Sequence, residues 1–281
     1  MGDRVNSFSA FGEKRNSYMT LFPVIIRMHY SLYPDPAWKI HLTTDREFSN
    51  DEYYGRQVNA LREAGLLQLR IVNNGGLMWQ QSVKGIGMLW RMIPIWNSNN
   101  DYVFCRDLDS ILTPRQTQLV QSFIGSGQIV HGINDNDGHS IPLMGGMTGF
   151  RSQAFLGISG YSSFESMIES LGKPRSFWDR HGADQEFLMN YIWPKFYHSA
   201  LIHRMSGPND RSHIKQVVPN LLLDGVSQKI LSEGDNFTNY IGASNCINTT
   251  HGERTLAEMI AFYDEHGSVD VMRKIREVEK Q

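Results

Sequence analysis

The first half of the chain alternates short apolar runs with amphipathic segments, the pattern of successive βα units that build a mainly parallel sheet. The runs Arg4–Ala10, Lys39–Thr44, Leu67–Val72 and Tyr102–Cys105 predict strands. Between the first two, Tyr18, Leu21, Phe22, Ile25, Ile26 and His29 fall at helical spacing, which predicts a helix over Tyr18–Tyr33. It ends at Tyr33-Pro34, because proline disfavours helix in the residue before it. A second helix is predicted over Glu52–Ala64, with Asn50 as N-cap and Gly65 as stop. The segment Gly85–Trp96 (GIGMLWRMIPIW) is apolar and helical, with Pro94 breaking its last turn.

Further along, Thr113 caps a helix that Pro114 opens and that runs to about Ile124, with Gly125-Ser126-Gly127 after it. Gln128–Ile133 and Ala200–His203 read as strands, and Ala183–Trp193 as a helix. Ile141–Arg151 (IPLMGGMTGFR) combines apolar residues with three glycines, which suits a strand whose backbone lies against a ligand or another chain segment. From Ser206 to Thr250 the chain is rich in Gly, Asn, Asp and Ser and predicts no element, whereas Glu253–Gln281 predicts one or two amphipathic helices.

Composition narrows the class. At 281 residues with 41% hydrophobic and 20% charged residues, the chain has enough apolar matter for a sizeable core. A net charge of −2 argues against a dedicated nucleic-acid binder, which needs a basic face. Cys105 and Cys246 share no CxxC spacing and form no disulfide framework. The polar start MGDRVNSFSAFGEKR lacks the apolar stretch of a signal peptide, and no apolar run is long enough for a membrane span, so the expected address is cytoplasmic.

The sharpest chemical signal is Asp107-Leu108-Asp109 at the end of a predicted strand. Residues two apart on a strand share a face, so both carboxylates can hold one hard divalent cation, Mg²⁺ or Mn²⁺, while Leu108 packs behind. The position at the carboxyl end of a sheet strand, where open α/β sheets bind ligands, favours that reading. The alternative is a pair of aspartates that merely caps the helix at Pro114. Arg106 beside the pair and Arg91 on the preceding helix are candidate phosphate donors, and each also reads as a structural arginine. Asp184, in His181-Gly182-Ala183-Asp184-Gln185, falls in the first turn of a helix, where it either activates a hydroxyl or stabilises the helix dipole. No phosphate loop, dinucleotide fingerprint, HExxH or nucleophile elbow is present. Of the tryptophans, Trp90 and Trp193 read as core, and Trp79, Trp96 and Trp178 as candidates for stacking on a sugar or base.

Four segments occur in order: VNSFSAFGE, LWRM leading to YVFCRDLDSILTPRQ, IPLMGGMTGFR, and HGADQEFL. Together they resemble nucleotide-diphospho-sugar glycosyltransferases of the GT-A fold, of the bacterial and large-virus type that carries F-R-D-x-D-S and G-A-D-Q-x-F-L blocks. The resemblance spans about residues 4 to 205. It implies an α/β fold with a Rossmann-like, mainly parallel sheet flanked by helices. Residues 1–205 would be the catalytic unit, and 206–281 a helical extension of the same domain that completes the site and helps close it over the acceptor.

The resemblance further implies a sugar nucleotide, a UDP-sugar foremost, whose diphosphate sits on Mn²⁺ or Mg²⁺ held by Asp107 and Asp109, with Arg106 and Leu108 beside them. Ser9, Ala10 and Phe11 would face the base and ribose, and Arg91 the phosphates or donor sugar. Gly145, Gly146 and Thr148 would line the donor sugar and acceptor, a glycan or small hydroxyl compound. Asp184 would be the catalytic base, with Gln185 beside it. Related enzymes carry a late histidine as third metal ligand in an H-x-x-G setting. Asn239-Tyr240-Ile241-Gly242 stands there instead, so Asn239 takes that place, with His203 and His251 as alternatives. Rival readings are a sugar-nucleotide- or carbohydrate-binding protein without turnover, and a metal-dependent phosphohydrolase.

Overall fold

The computed structural model describes residues 2–12, 19–45, 53–73, 75–134, 141–205, 227–231 and 256–280. Eight strands form one sheet: β1 (Asp3–Ala10), β2 (Trp38–Thr44), β3 (Gln68–Ile71), β4 (Asn100–Cys105), β5 (Val130–Asn134), β6 (Thr148–Arg151), β7 (Ala200–Met205) and β8 (Ser227–Leu231). Their order is β3-β2-β1-β4-β6-β5-β7-β8. All neighbouring pairs are parallel except those of β6, which runs against both β4 and β5. The mainly parallel α/β sheet flanked by helices is the architecture that the alternating apolar runs predict.

Alternation along the strands sorts the core into two layers. On one face Phe8 and Ala10 of β1 and Phe104 of β4 meet the helices α1 (Phe22–Leu32), α2 (Tyr53–Glu63) and α4 (Pro114–Ser126). On the other, Val5, Val103 and Cys105 meet α3 (Lys84–Leu89), α5 (Ser152–Ser159), α6 (Phe164–Ser170), α7 (Arg175–Trp178), α8 (Ala183–Phe187) and α9 (Trp193–Phe196). Both cores are dry and rich in aromatic side chains. Trp178, a candidate for stacking on ligand, is fully buried in the second core beside Phe177 and Phe187.

The punctuation around α4 follows the sequence closely. Thr113 accepts a hydrogen bond from the Gln116 N–H at 3.1 Å, Pro114 opens the helix, and Gly127 closes it in the left-handed region at φ 73°. Three predicted elements are interrupted. The Gly85–Trp96 segment is α3 followed by a 3₁₀ turn over Trp90–Trp96, because Pro94 inside it removes a donor and tightens the winding. The Ala183–Trp193 helix is α8, then a π turn over Leu188–Ile192, then α9; Pro194 in the first turn of α9 lacks the N–H that would continue the ladder. Ile141–Arg151 is not one strand. A 3₁₀ turn over Gly145–Met147 precedes β6, because the backbone there skirts side chains that leave no room for a Cβ.

Two C-terminal helices, α10 (Leu256–His266) and α11 (Val269–Glu279), pack on α1 and α2. Arg27 of α1 ties them down: its Nε donates to Asp264 at 2.8 Å and its Nη2 to Glu279 at 2.6 Å. Edge strand β8 also comes from beyond residue 205 and pairs with β7. None of the described residues after 205 reaches the cavity described next. Among the described residues no helix is long and apolar enough to cross a membrane.

Candidate active site

The carboxyl ends of β1 and β4 open onto a cavity of about 300 Å³. Its position is that of ligand sites in open α/β sheets, where parallel strands end side by side and the following loops diverge. Ser9 of β1 and Phe11, just past its end, line the cavity. Ala10 between them points the opposite way and is buried in the other core. From the turn after β4 come Arg106, Asp107, Leu108, Asp109 and Ser110. The strand ends at Cys105, so strand alternation is not what aligns the two aspartates. The turn does it instead: the Ser110 N–H donates to the Asp107 carbonyl at 3.4 Å, and Leu108 is drawn into the core while both carboxylates stay at the cavity.

Arg91 organises the floor. Buried at 4% exposure, its guanidinium donates to the Asp107 carboxylate and, through Nη2 at 3.1 Å, to Asp184 Oδ2. Burial alone would lower the pKa of Arg91, but the Asp107 and Asp184 charges outweigh it and the net direction is up. Asp184 is placed by α8, which starts after Gly182 turns the chain at φ 78°, a conformation glycine adopts without strain. Burial pushes the Asp184 pKa up; Arg91 opposes that rise and Asp107 adds to it. Asp109 is likewise raised, first by burial and then by Asp107.

Gly145 and Gly146 supply the space these groups occupy. A Cβ on Gly146 would collide with the Asp107 carboxylate, and one on Gly145 with Arg91 Nη2 and Asp184 Oδ2. Thr148 does not line the cavity; it is fully buried, and its hydroxyl donates to the Met144 carbonyl at 2.6 Å, which pins the glycine turn. Arg106 is on the lining but directs its donors inward, to Asn6 Oδ1 and the Cys105 carbonyl, both at 3.3 Å, with the guanidinium over the Phe104 ring. Gln185 lines the cavity next to Asp184.

Of the three candidates for a third metal ligand, Asn239 and His251 lie outside the described residues. His203 is buried in β7 with its Nδ1 2.8 Å from His131 Nε2, and it is absent from the cavity lining. Among the described residues no group of three or more His, Cys, Asp and Glu gathers as a metal cage. Two carboxylates suffice for Mg²⁺ or Mn²⁺ when substrate phosphates and water complete the shell. Asp107 and Asp109 both border the cavity, so their carboxylates are the donor set present for such an ion.

Sequence reasoning missed Lys84, Met88, Met144, Met147 and His181, all on the lining. A signal for the first two was available. Lys84, Met88 and Arg91 stand at i, i+4 and i+7, the spacing of one helical face.

No protein-family model matches the chain, and no curated protein matches it. Among solved structures it is similar to a glycosyltransferase involved in the glycosylation of the major capsid of PBCV-1. That match has 12% sequence identity and a TM-score of 0.38, and it covers 75% of this chain and 90% of the other.

Proposed function

We propose that this chain is a metal-dependent glycosyltransferase of the GT-A type, which moves a sugar from a nucleotide-diphosphate sugar, a UDP-sugar foremost, to a hydroxyl of a glycan or small acceptor. The observation that carries the reading is the convergence of Asp107, Asp109 and Asp184 on one cavity at the carboxyl edge of parallel strands, with Arg91 locked between Asp107 and Asp184. Asp107 and Asp109 are the residues that would hold the ion. Bound there, it would supply charge neutralisation for a departing diphosphate.

The chain's own residues account for the rest. Ser9 and Phe11 offer a hydroxyl and a ring to the nucleoside end. Arg91 fixes the Asp184 carboxylate in place, and burial makes that carboxylate a stronger base than an exposed aspartate. In the transfer the acceptor oxygen bonds to the anomeric carbon, the bond from that carbon to the diphosphate oxygen breaks, and the acceptor's proton goes to Asp184. A single displacement of this kind inverts the anomeric centre.

The test is nucleotide release from UDP-, GDP-, TDP- and CMP-sugars with Mn²⁺, Mg²⁺ or chelator, alongside thermal melting of the same mixtures. The expected result is metal-dependent release from at least one donor, lost in Asp107→Asn, with the donor raising the melting temperature by mass action. If no donor is turned over above the no-enzyme rate and none shifts the melting temperature with either metal, the reading is wrong.

A further inference from the structure

The cavity carries cations of two kinds. Arg91 and Arg106 are buried: Arg91 donates to Asp107 and Asp184, and Arg106 donates through Nε and Nη1 to Asn6 and the Cys105 carbonyl, leaving its buried Nη2 without a hydrogen-bond partner. Nearby surface cations are occupied too: Arg180 pairs with Glu186 at 2.7 Å, Arg175 with Asp179 at 3.5 Å, and Lys173 lies over the Phe177 and Tyr191 rings. Lys84 and His181 are different. Both are exposed, both line the cavity, and among the described residues neither has a hydrogen-bond or ion-pair partner.

They are also held together by the fold. Gly85, directly after Lys84, sits so close to α8 that a Cβ there would lie 2.8 Å from the Ala183 Cβ and 2.9 Å from the Trp178 carbonyl. His181 lies just before Gly182, the residue that turns the chain into that helix. The starts of α3 and α8 therefore meet, and their two cation-capable side chains border the same opening. Unpaired donors at the mouth of a cavity with partly apolar walls focus field on an incoming anion. A carboxylate or phosphate oxygen can take a charge-assisted hydrogen bond from each.

We propose that Lys84 and His181 form an anion-binding rim that takes a phosphate or carboxylate group of a substrate. This rests on the glycosyl-transfer reading of the same cavity, and the anion has two available sources: the donor's diphosphate, or an acidic group on the acceptor near the reacting hydroxyl. The rim acts without the metal, so its contribution is measurable with chelator present.

The probe is inorganic pyrophosphate, titrated calorimetrically into the whole protein in chelator at low salt. Wild type is compared with Lys84→Gln, His181→Gln, the double variant and Lys84→Arg, all checked by thermal melting. The expected result is binding that weakens about tenfold in Lys84→Gln, equivalent to about 1.4 kcal/mol, weakens further in the double variant, and returns in Lys84→Arg. Wild-type affinity should fall more steeply with salt than that of the double variant.

Kinetics then separate the sources. A raised KM for donor hydrolysis without acceptor assigns the rim to the diphosphate, and a raised KM for acceptor alone assigns it to an acidic acceptor. Pyrophosphate binding that is absent from wild type, or equal in wild type and double variant, overturns the rim while leaving transfer activity as a separate question. Rim-dependent binding with no turnover of any sugar nucleotide keeps the anion site and overturns glycosyl transfer instead.

Discussion

Two buried arginines each hold two carboxylates, and the difference between them separates a staple from a cluster that borders a cavity. Arg27 joins α1 to Asp264 and Glu279, residues more than 230 positions away in the chain. Burial would lower its pKa, but Glu279 and Asp264 outweigh that, and the direction is up. Its partners sit on α10 and α11, none of the three residues lines the cavity at Arg91, and the cluster joins helices. Arg91 also binds two carboxylates, yet Asp107 remains 38% exposed while Asp184 is 3% exposed. One partner thus faces the cavity while the other is buried, both on the same guanidinium. An ion pair becomes chemically useful when one member keeps unfilled lone pairs facing a cavity.

The contrast can be broken at four points. Asp107→Asn is expected to lower sugar-nucleotide turnover about a thousandfold, roughly 4 kcal/mol of barrier, with little change in melting temperature; turnover within tenfold of wild type would remove Asp107 from the site. Arg27→Met should do the reverse. It costs about 3 kcal/mol of stability, at the low end for a broken buried pair because its carboxylates can still reach water, and leaves turnover per folded molecule unchanged. Denaturant melts paired with active-site titration check both halves, and a loss of specific activity would show that the staple shapes the cavity.

Smaller effects sharpen the comparison. Gly146→Ala forces a methyl group against the Asp107 carboxylate and should cost about 1–3 kcal/mol by overpacking, together with weakened Mn²⁺ activation; a crystal structure with the Asp107 carboxylate unmoved would contradict the crowding argument. The smallest change in stability is expected from Asp109→Asn. The pKa of Asp109 is raised in the fold, so its ionised form is disfavoured there and the cost grows as pH rises from the unfolded aspartate value of about 3.9. The variant should therefore melt slightly above wild type at pH 7 in chelator, with the advantage gone below about pH 4. Equal melting at both pH values would mean that Asp109 bears no such cost.

How much of this the sequence could reveal follows from range. Thr113, Pro114 and Gly127 act on residues three or four away, so α4 is readable almost to its ends. The strands of the first half carry their burial in local alternation. The Arg91 cluster is a matter of distance: its partners lie 16 and 93 residues on, and only the sheet brings them together. Asp107, Asp109 and Asp184 were nonetheless identifiable one by one, from residue type and their place at element ends. The lining role of Lys84 was hidden because a lysine at a helix start reads as ordinary surface. The reversal of β6 was hidden because four residues carry no sign of direction, and nothing in Thr148–Arg151 says that β4 and β5 are its neighbours.

That reversed strand has a consequence for how the protein can change over generations. A parallel neighbour would oblige the chain to cross the whole sheet and return, so any insertion would disturb both ends. Because β6 runs against β5, its first residue, Thr148, lies beside Gly132 near the end of β5. Ile141 and Leu143 are buried in the core there, and the Asn134 side chain donates to the Ile141 carbonyl at 2.6 Å, so the approach to the glycine turn that borders Asp107 is anchored. Over generations, substitutions at Ile141 and Leu143 should therefore stay apolar, and a laboratory library randomised at these two positions should yield folded protein only where they do.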